Sequence, residues 1–220
     1  MSAIEVTDSL AGQSLSTRPA RAEDLPQVAG LLAQLYEAEL PGALSGNREA
    51  QRRLLQFTLE AGGGQGLRQR YVMVDGAGAV LATAAIDMPG EPPYERAPDG
   101  TVRKALEIIG LRDTVRLLLT VGRSMVAAHR ERPHGSALIH SVVVDAGQRG
   151  RGLGGALMAV IEGEIRATGL PTAMIQVLQA NQSARQLYRR LGYEAIWESP
   201  RYLRAIAWPT YLMRKELQPL

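Results

Sequence analysis

Two arginines and four glycines crowd into the stretch Arg149-Gly150-Arg151-Gly152-Leu153-Gly154-Gly155. A guanidinium carries a fixed positive charge and a fork of donors matched to phosphate oxygens. Glycine lets an anion approach the backbone with no Cβ in the way. The residues before this stretch, Val142-Val143-Val144, are a β-branched run that reads as a buried strand. After it, Leu153, Leu157, Val160, Ile161 and Ile165 fall on one face of a helix. The first N–H groups of such a helix have no intrahelical partner, and the macrodipole adds partial positive charge at the same end. Strand, glycine-rich basic loop and helix N-terminus together make a site for a phosphate group.

Three kinds of phosphate loop compete for this stretch. A Walker loop needs a Lys-Ser or Lys-Thr pair, and the chain contains none. The dinucleotide pattern GxGxxG matches by letter at Gly150, Gly152 and Gly155. Its context is wrong: the turn from Asp145 to Gly150 is too long, and Ala167 to Gln182 holds no acid to bind a ribose. The third fits. Arg149-x-x-Gly152-x-Gly154 resembles motif A, (Q/R)-x-x-G-x-(G/A), of the GNAT superfamily of acyl-CoA N-acyltransferases. Farther on, Asn181-Gln-Ser-Ala184-Arg-Gln-Leu187-Tyr188-Arg-Arg-Leu191-Gly192-Tyr193 resembles that family's motif B, in the right order and at family-like spacing. One departure is Ala146, where the family usually has a proline that stiffens the turn.

The resemblance implies a single α/β domain with a mixed central sheet flanked by helices. It implies acetyl-CoA as acyl donor, with the pyrophosphate on Arg149, Gly150, Arg151, Gly152, Leu153, Gly154 and Gly155. The motif-A strand would part from its neighbour, so that the pantetheine arm pairs with the backbone of Val142, Val143 and Val144. Asn181 would contact the cofactor as well as capping a helix, and Tyr188 would protonate the departing thiolate. On helical phase alone Tyr188 reads as half-buried core. A phenol of pKa near 10 can nevertheless donate to a thiolate formed beside it. No metal is implied, and the three histidines lack zinc-finger spacing.

Acyl transfer to an amine also needs the amine neutral, whereas a lysine-type amine has a pKa of about 10.4. His140 and Asp145 lie on the motif-A strand five positions apart, which predicts opposite faces. Glu37, near the end of the first helix, is a further candidate base, and ordered water can also serve. The chain has no cysteine, which closes a cysteinyl-enzyme route and favours direct attack in a ternary complex. The expected activity is therefore transfer of acetyl to a primary amine of a small molecule or peptide. Two other readings stay open: an acyl-CoA-binding sensor or partner module without turnover, and a dinucleotide-dependent oxidoreductase.

These residues need a scaffold. At 220 residues and 45% hydrophobic, the chain reads as one domain spanning 1–220. A net charge of +3 with no basic run longer than two residues gives no footprint for nucleic acid. No apolar run reaches membrane-spanning length and the N-terminal residues lack a signal-peptide core, so a cytoplasmic protein without a membrane partner is expected. Residues 1–15 read as a frayed tail, and Ser16 to Pro19 as a first strand. Asp24 is placed to cap a helix carrying Leu25, Val28, Leu32, Leu35 and Tyr36. Ser45 is placed to cap a second helix, ended by Gly62-Gly63-Gly64. A hairpin is expected from Tyr71 to Asp87. Residues 88–136 interrupt the family pattern: a Pro-rich segment that could act as a lid, then a helix divided at Gly110. The apolar stripe on that helix, Leu111, Val115, Leu118, Leu119 and Val126, must bury against the domain or a second subunit, so a homodimer is possible. Residues 137–192 form the acyl-CoA-binding core, and two strands close the chain.

Overall fold

The computed structural model describes residues 6–10, 13–40, 48–61, 65–91, 98–126, 135–205 and 207–218. Among the described residues, eight strands form one sheet. They are β1 (Val6–Leu10), β2 (Gln13–Pro19), β3 (Arg70–Asp75), β4 (Val80–Asp87), β5 (Ser136–Val144), β6 (Thr172–Leu178), β7 (Glu194–Glu198) and β8 (Thr210–Glu216). Their spatial order is β1-β2-β3-β4-β5-β6-β8-β7. All pairs are antiparallel except β5 with β6, which is parallel. A parallel pair needs a crossover, and α4 (Leu153–Ala167) supplies it.

The faces of the sheet hold two apolar clusters. On one face, Leu153, Leu157, Met158, Ile161 and Ile165 of α4 and Tyr188 of α5 (Gln182–Arg190) join Ala84, Ile86, Ile139 and Ile175 from the strands. Each aliphatic side chain buried there contributes about 1.5–3 kcal/mol relative to exposure. On the other face, α1 (Leu25–Glu39) and α2 (Arg48–Glu60) cover Val72, Val74, Val80 and Val143. Two glutamines pin α1 to the strands. Gln27 accepts the Val80 N–H at 2.9 Å, and Gln34 donates to Asp145 at 2.9 Å while accepting the Ala146 N–H at 3.0 Å.

Several expectations need correction. The supposed tail contributes a strand: Val6 to Leu10 pairs antiparallel with Gln13 to Thr17, and the first expected strand begins at Gln13. Asp24 does precede α1, but its side chain caps no N–H of that helix. Its two oxygens instead receive Arg18 at 2.7 and 2.9 Å and the Arg21 N–H at 2.7 Å, so the carboxylate ties the end of β2 to the turn before α1. The insertion helix α3 (Thr101–Val126) breaks at Gly110, as expected, with φ 78° and ψ 173° there. Of its apolar stripe, Leu111, Val115, Leu118 and Leu119 do not pack on the domain, and the side chain of Val126 lies outside the described residues. Ala105, Thr114 and Thr120 are the buried positions, whereas Leu111 is 71% and Leu119 is 64% exposed and Val115 and Leu118 are exposed as well. The expected cap Ser45, the glycines 62–64, residues 92–97 of the Pro-rich segment, His129 and His134 lie outside the described residues.

Candidate active site

The site forms where β5 and β6 part. Their ladder runs from Ser136↔Thr172 to Ile139↔Ile175 and stops, although β5 continues to Val144 and β6 to Leu178. Across its other edge β5 stays paired to β4 through Thr83↔Val143 and Ala82↔Val144. One edge of Val142, Val143 and Val144 is thus left without a strand partner among the described residues. Their side chains remain core: Val143 is buried under α1 and α2, and Val142 and Val144 pack against the α4 cluster.

A bulge accompanies the parting. Residues 83 and 85 of β4 oppose 143 and 140 of β5, so β5 carries one extra residue. Ser141 absorbs it with φ 53°. This insertion reverses the parity expected from alternation alone. His140 shares a face with Val143, and so does Asp145, which reaches Gln34 on α1. The expectation that His140 and Asp145 face opposite sides is overturned, because a strict two-residue period does not survive a bulge. Asp145 is also committed elsewhere, accepting the Gly147 N–H at 2.9 Å besides Gln34. The His140 ring is buried between Asp87 Oδ1, 3.2 Å from Nε2, and Ser141 Oγ, 3.0 Å from Nδ1. Glu37 is exposed on the outer side of α1.

At the end of β5 the chain turns through Asp145, passes Arg149 and Gly150, and enters α4 at Gly152. Gly152 is left-handed, with φ 83° and ψ −5°, and nothing lies within 4 Å of where a Cβ would be. As the residue before the helix it offers no side chain to the first N–H groups; the Gly155 N–H donates to the Gly152 carbonyl at 3.0 Å, and those of Leu153 and Gly154 are the ones placed for a ligand. Arg149, Gly150, Arg151 and Gly152 are exposed. Arg149 reaches back to the Val144 carbonyl at 3.3 Å, and Arg151 donates to Gln148. Leu153 anchors the helix in the core, and Gly154 and Gly155 occupy its first turn. A Cβ at Gly154 would come within 3.1 Å of Leu187, so glycine there lets α4 lie close to α5. Open N–H groups, clear space at Gly152 and two exposed arginines suit a pyrophosphate, and the free β5 edge suits an amide-bearing arm.

The third side is α5. Asn181 accepts the Ala184 N–H at 3.1 Å and caps the helix, as expected. Its amide nitrogen donates to Glu39 at 3.1 Å, across 142 residues of sequence. Tyr188 is 5% exposed, with its ring 6.0 Å from that of Tyr193. Burial, and then the negative charge of Glu39, push the phenol's pKa above its ordinary value of 10.0. Tyr188 therefore holds its proton at neutral pH and has one to give. The sequence reading missed Glu39. Its phase with Val28, Leu32 and Leu35 was the available signal, since it places Glu39 on the buried stripe of α1 and Glu37 off it.

Comparisons with known proteins agree with this geometry. Residues 119–193 match the acetyltransferase (GNAT) family model. An uncharacterized protein of Mycobacterium leprae is 36% identical over 80 residues, and this match spans 36% of the chain but only 21% of the relative's length. A crystal structure described as an acetyltransferase is 25% identical with a TM-score of 0.61, covering 92% of this chain and 99% of the other. The GCN5-related N-acetyltransferase of Kribbella flavida is 20% identical with a TM-score of 0.55, over 92% of this chain and 98% of its own. The PaiA N-acetyltransferase of Thermoplasma acidophilum, in complex with coenzyme A, is 9% identical with a TM-score of 0.57, over 92% and 99%. These last two share the fold. With both motifs on one mixed sheet that parts between β5 and β6, the chain has the fold of these acetyltransferases, and its residues 119–193 are similar to the GNAT acetyltransferase family.

Proposed function

We propose that the protein transfers the acetyl group of acetyl-CoA to a primary amine of a small molecule or peptide, by direct attack in a ternary complex. The observation that carries this reading is the end of the β5–β6 ladder at Ile139↔Ile175, beside both the open N-terminus of α4 and the buried Tyr188. In this reading Val142, Val143 and Val144 hold the pantetheine arm through main-chain hydrogen bonds. Arg149, Gly150, Arg151, Gly152, Leu153, Gly154 and Gly155 receive the pyrophosphate, and Asn181 borders the arm. Tyr188 donates its proton to the leaving sulfur. The insertion helix α3 packs against α2, on the face opposite α4, and there it helps to shape the acceptor side.

The test is release of free thiol from acetyl-CoA in the presence of a panel of primary amines, after a thermal-shift screen with coenzyme A and acyl-CoAs. Stabilisation by coenzyme A without thiol release would favour a sensor module. Stabilisation by NAD in place of coenzyme A would favour an oxidoreductase.

The exposed face of α3 supports one further part of the reading, a homodimer. Leu111, Val115 and Leu118 follow an i, i+4, i+7 seam with Leu119 beside it, and all four are exposed. A seam with this spacing suits packing against an identical helix about a two-fold axis.

A further inference from the structure

Three polar side chains outside the acetyl-transfer steps meet where β5 leaves β6. The His140 ring is buried, with Nε2 3.2 Å from Asp87 Oδ1 and Nδ1 3.0 Å from Ser141 Oγ. Asp87 ends β4, and its side chain is largely buried too. A carboxylate against Nε2 favours the tautomer with its proton there, which leaves Nδ1 to accept from the Ser141 hydroxyl. The contacts therefore run carboxylate, imidazole, hydroxyl, the order that activates a serine for attack. Ser141 is the extra residue of the β5 bulge and takes φ 53°. Residues other than glycine adopt that left-handed backbone rarely and at a cost, and such strain clusters at functional sites.

The place of Ser141 in the gap decides what it could attack. In the acetyl-transfer reading, the arm of acetyl-CoA enters beside the α4 N-terminus and follows the free edge of β5 back from Val144 to Val142, about 10 Å at about 3.3 Å per residue. The gap closes at Ile139↔Ile175, so the acyl end of the arm stops at residues 140 and 141. His140 shares its face with Val143, under α1 and α2, whereas Tyr188 belongs to the cluster on the other face. The thioester would thus lie between a hydroxyl–imidazole pair on one side and the phenol on the other.

We propose that Ser141 is a nucleophile, with His140 as its base and Asp87 holding the imidazole, and that the protein has a second activity: hydrolysis of the acetyl-CoA thioester through an acetyl ester on Ser141 when no amine is present. It rests on the acetyl-CoA site of the acetyl-transfer reading, and not on attack by an amine.

The two steps balance. His140 Nδ1 takes the Ser141 hydroxyl proton as Oγ bonds to the thioester carbon. The C–S bond breaks, its electron pair leaves on sulfur, and the imidazolium gives that sulfur its proton. Free thiol departs, and the acetyl group stays on Oγ. Water then gives a proton to Nδ1 as its oxygen bonds to the acetyl carbon. The C–Oγ bond breaks, the imidazolium returns the proton to Oγ, and acetic acid leaves and loses its own proton to solvent. One thioester and one water give one thiol, one acetate and one proton.

The experiment mixes the protein with acetyl-CoA in the absence of amine. Thiol and acetate are followed together, and acid-quenched protein is digested and mapped for an acetylated peptide. Wild type should release one acetate per thiol and carry acetyl on Ser141. Glycine takes a positive φ without strain, so Ser141→Gly should melt no lower than wild type. Ser141→Gly and His140→Gln should bind coenzyme A as wild type does, yet release thiol about 10²-fold more slowly or worse. Asp87→Asn should lower kcat at an unchanged KM for acetyl-CoA, a split that a merely structural contact would not produce. If a variant melts early, the acetylated Ser141 peptide of wild type decides. No thiol release from wild type without amine, or the same rate in a folded Ser141→Gly, overturns the proposal; if that wild type still acetylates amines, the acetyl-transfer reading stands without it. If coenzyme A does not bind at all, that reading fails, and the serine is judged with p-nitrophenyl acetate. Acetyl on Ser141 in wild type but not in His140→Gln then supports the nucleophile, and its absence from wild type overturns it.

Discussion

Placing a charge at Gly152 gives the sharpest test of the pyrophosphate site. Gly152 has φ 83° and ψ −5°, and no heavy atom lies within 4 Å of a Cβ built there. A side chain therefore meets no clash, and its stability cost is the left-handed backbone alone, about 1–2 kcal/mol for an ordinary residue and less for Asn or Asp. Gly152→Asn and Gly152→Asp share shape and backbone strain and differ by one charge, so their difference in affinity isolates electrostatics. A carboxylate at this position would stand about 5 Å from an anion seated on the α4 N-terminus. At an effective dielectric of about 20–80, one charge pair at that distance is worth about 1–3 kcal/mol, or roughly 5- to 200-fold in Kd. Isothermal titration with coenzyme A at low salt should show Gly152→Asp weaker than Gly152→Asn by that factor. Added salt should narrow the gap, since the site is open to solvent. If the two variants have equal melting temperatures and equal Kd at low salt, the pyrophosphate does not sit on this helix end.

Other outcomes follow from the same structure. Tyr188→Phe should fold and bind coenzyme A like wild type but turn over about 10²-fold more slowly where proton donation limits the rate; an unchanged turnover number with chemistry rate-limiting would reduce Tyr188 to a core residue. Asp24→Asn should destabilise the domain by about 3 kcal/mol, because it leaves the Arg18 guanidinium buried against a neutral partner. Burial pushes the Asp24 carboxyl up, but the Arg18 hydrogen bond, the Arg21 N–H and both arginine charges outweigh it, so its pKa lies below the ordinary 3.8. That stabilisation is complete above about pH 4 and is lost as pH falls through the lower folded value, so chemical-denaturation curves of wild type and Asp24→Asn should converge in acid; a gap that stays constant with pH would contradict this. Leu118→Glu, on the exposed seam of α3, should convert a dimer to a monomer in sedimentation velocity without lowering the melting temperature of the monomer unit, and a wild type that sediments as a monomer at high concentration would refute the seam.

Local chemistry settled much of this protein in advance. The run Val142 to Leu157 had to be strand, anion loop and helix, because β-branched residues, clustered glycines and a 3.6-residue apolar period allow little else. Its helix begins at Leu153 and ends at Ala167, just before Gly169, whose φ of 78° suits the turn that terminates a helix. The cap at Asn181 and the hairpin from Arg70 to Asp87 were equally local and were equally legible. What the sequence left open depended on partners far along the chain. Strand alternation put His140 and Asp145 on opposite faces, and one extra residue at Ser141, registered only against β4, put them on the same face. The stripe on α3 was expected to bury against the domain or a second subunit, because periodicity reports which residues share a face, and only the packing on α2 shows that the domain leaves Leu111, Val115, Leu118 and Leu119 uncovered. Glu39 and Asn181 stand 142 positions apart. No window of sequence contains both, and their meeting is fixed by how the clamps at Gln27 and Gln34 set the path of α1 over the parted strands.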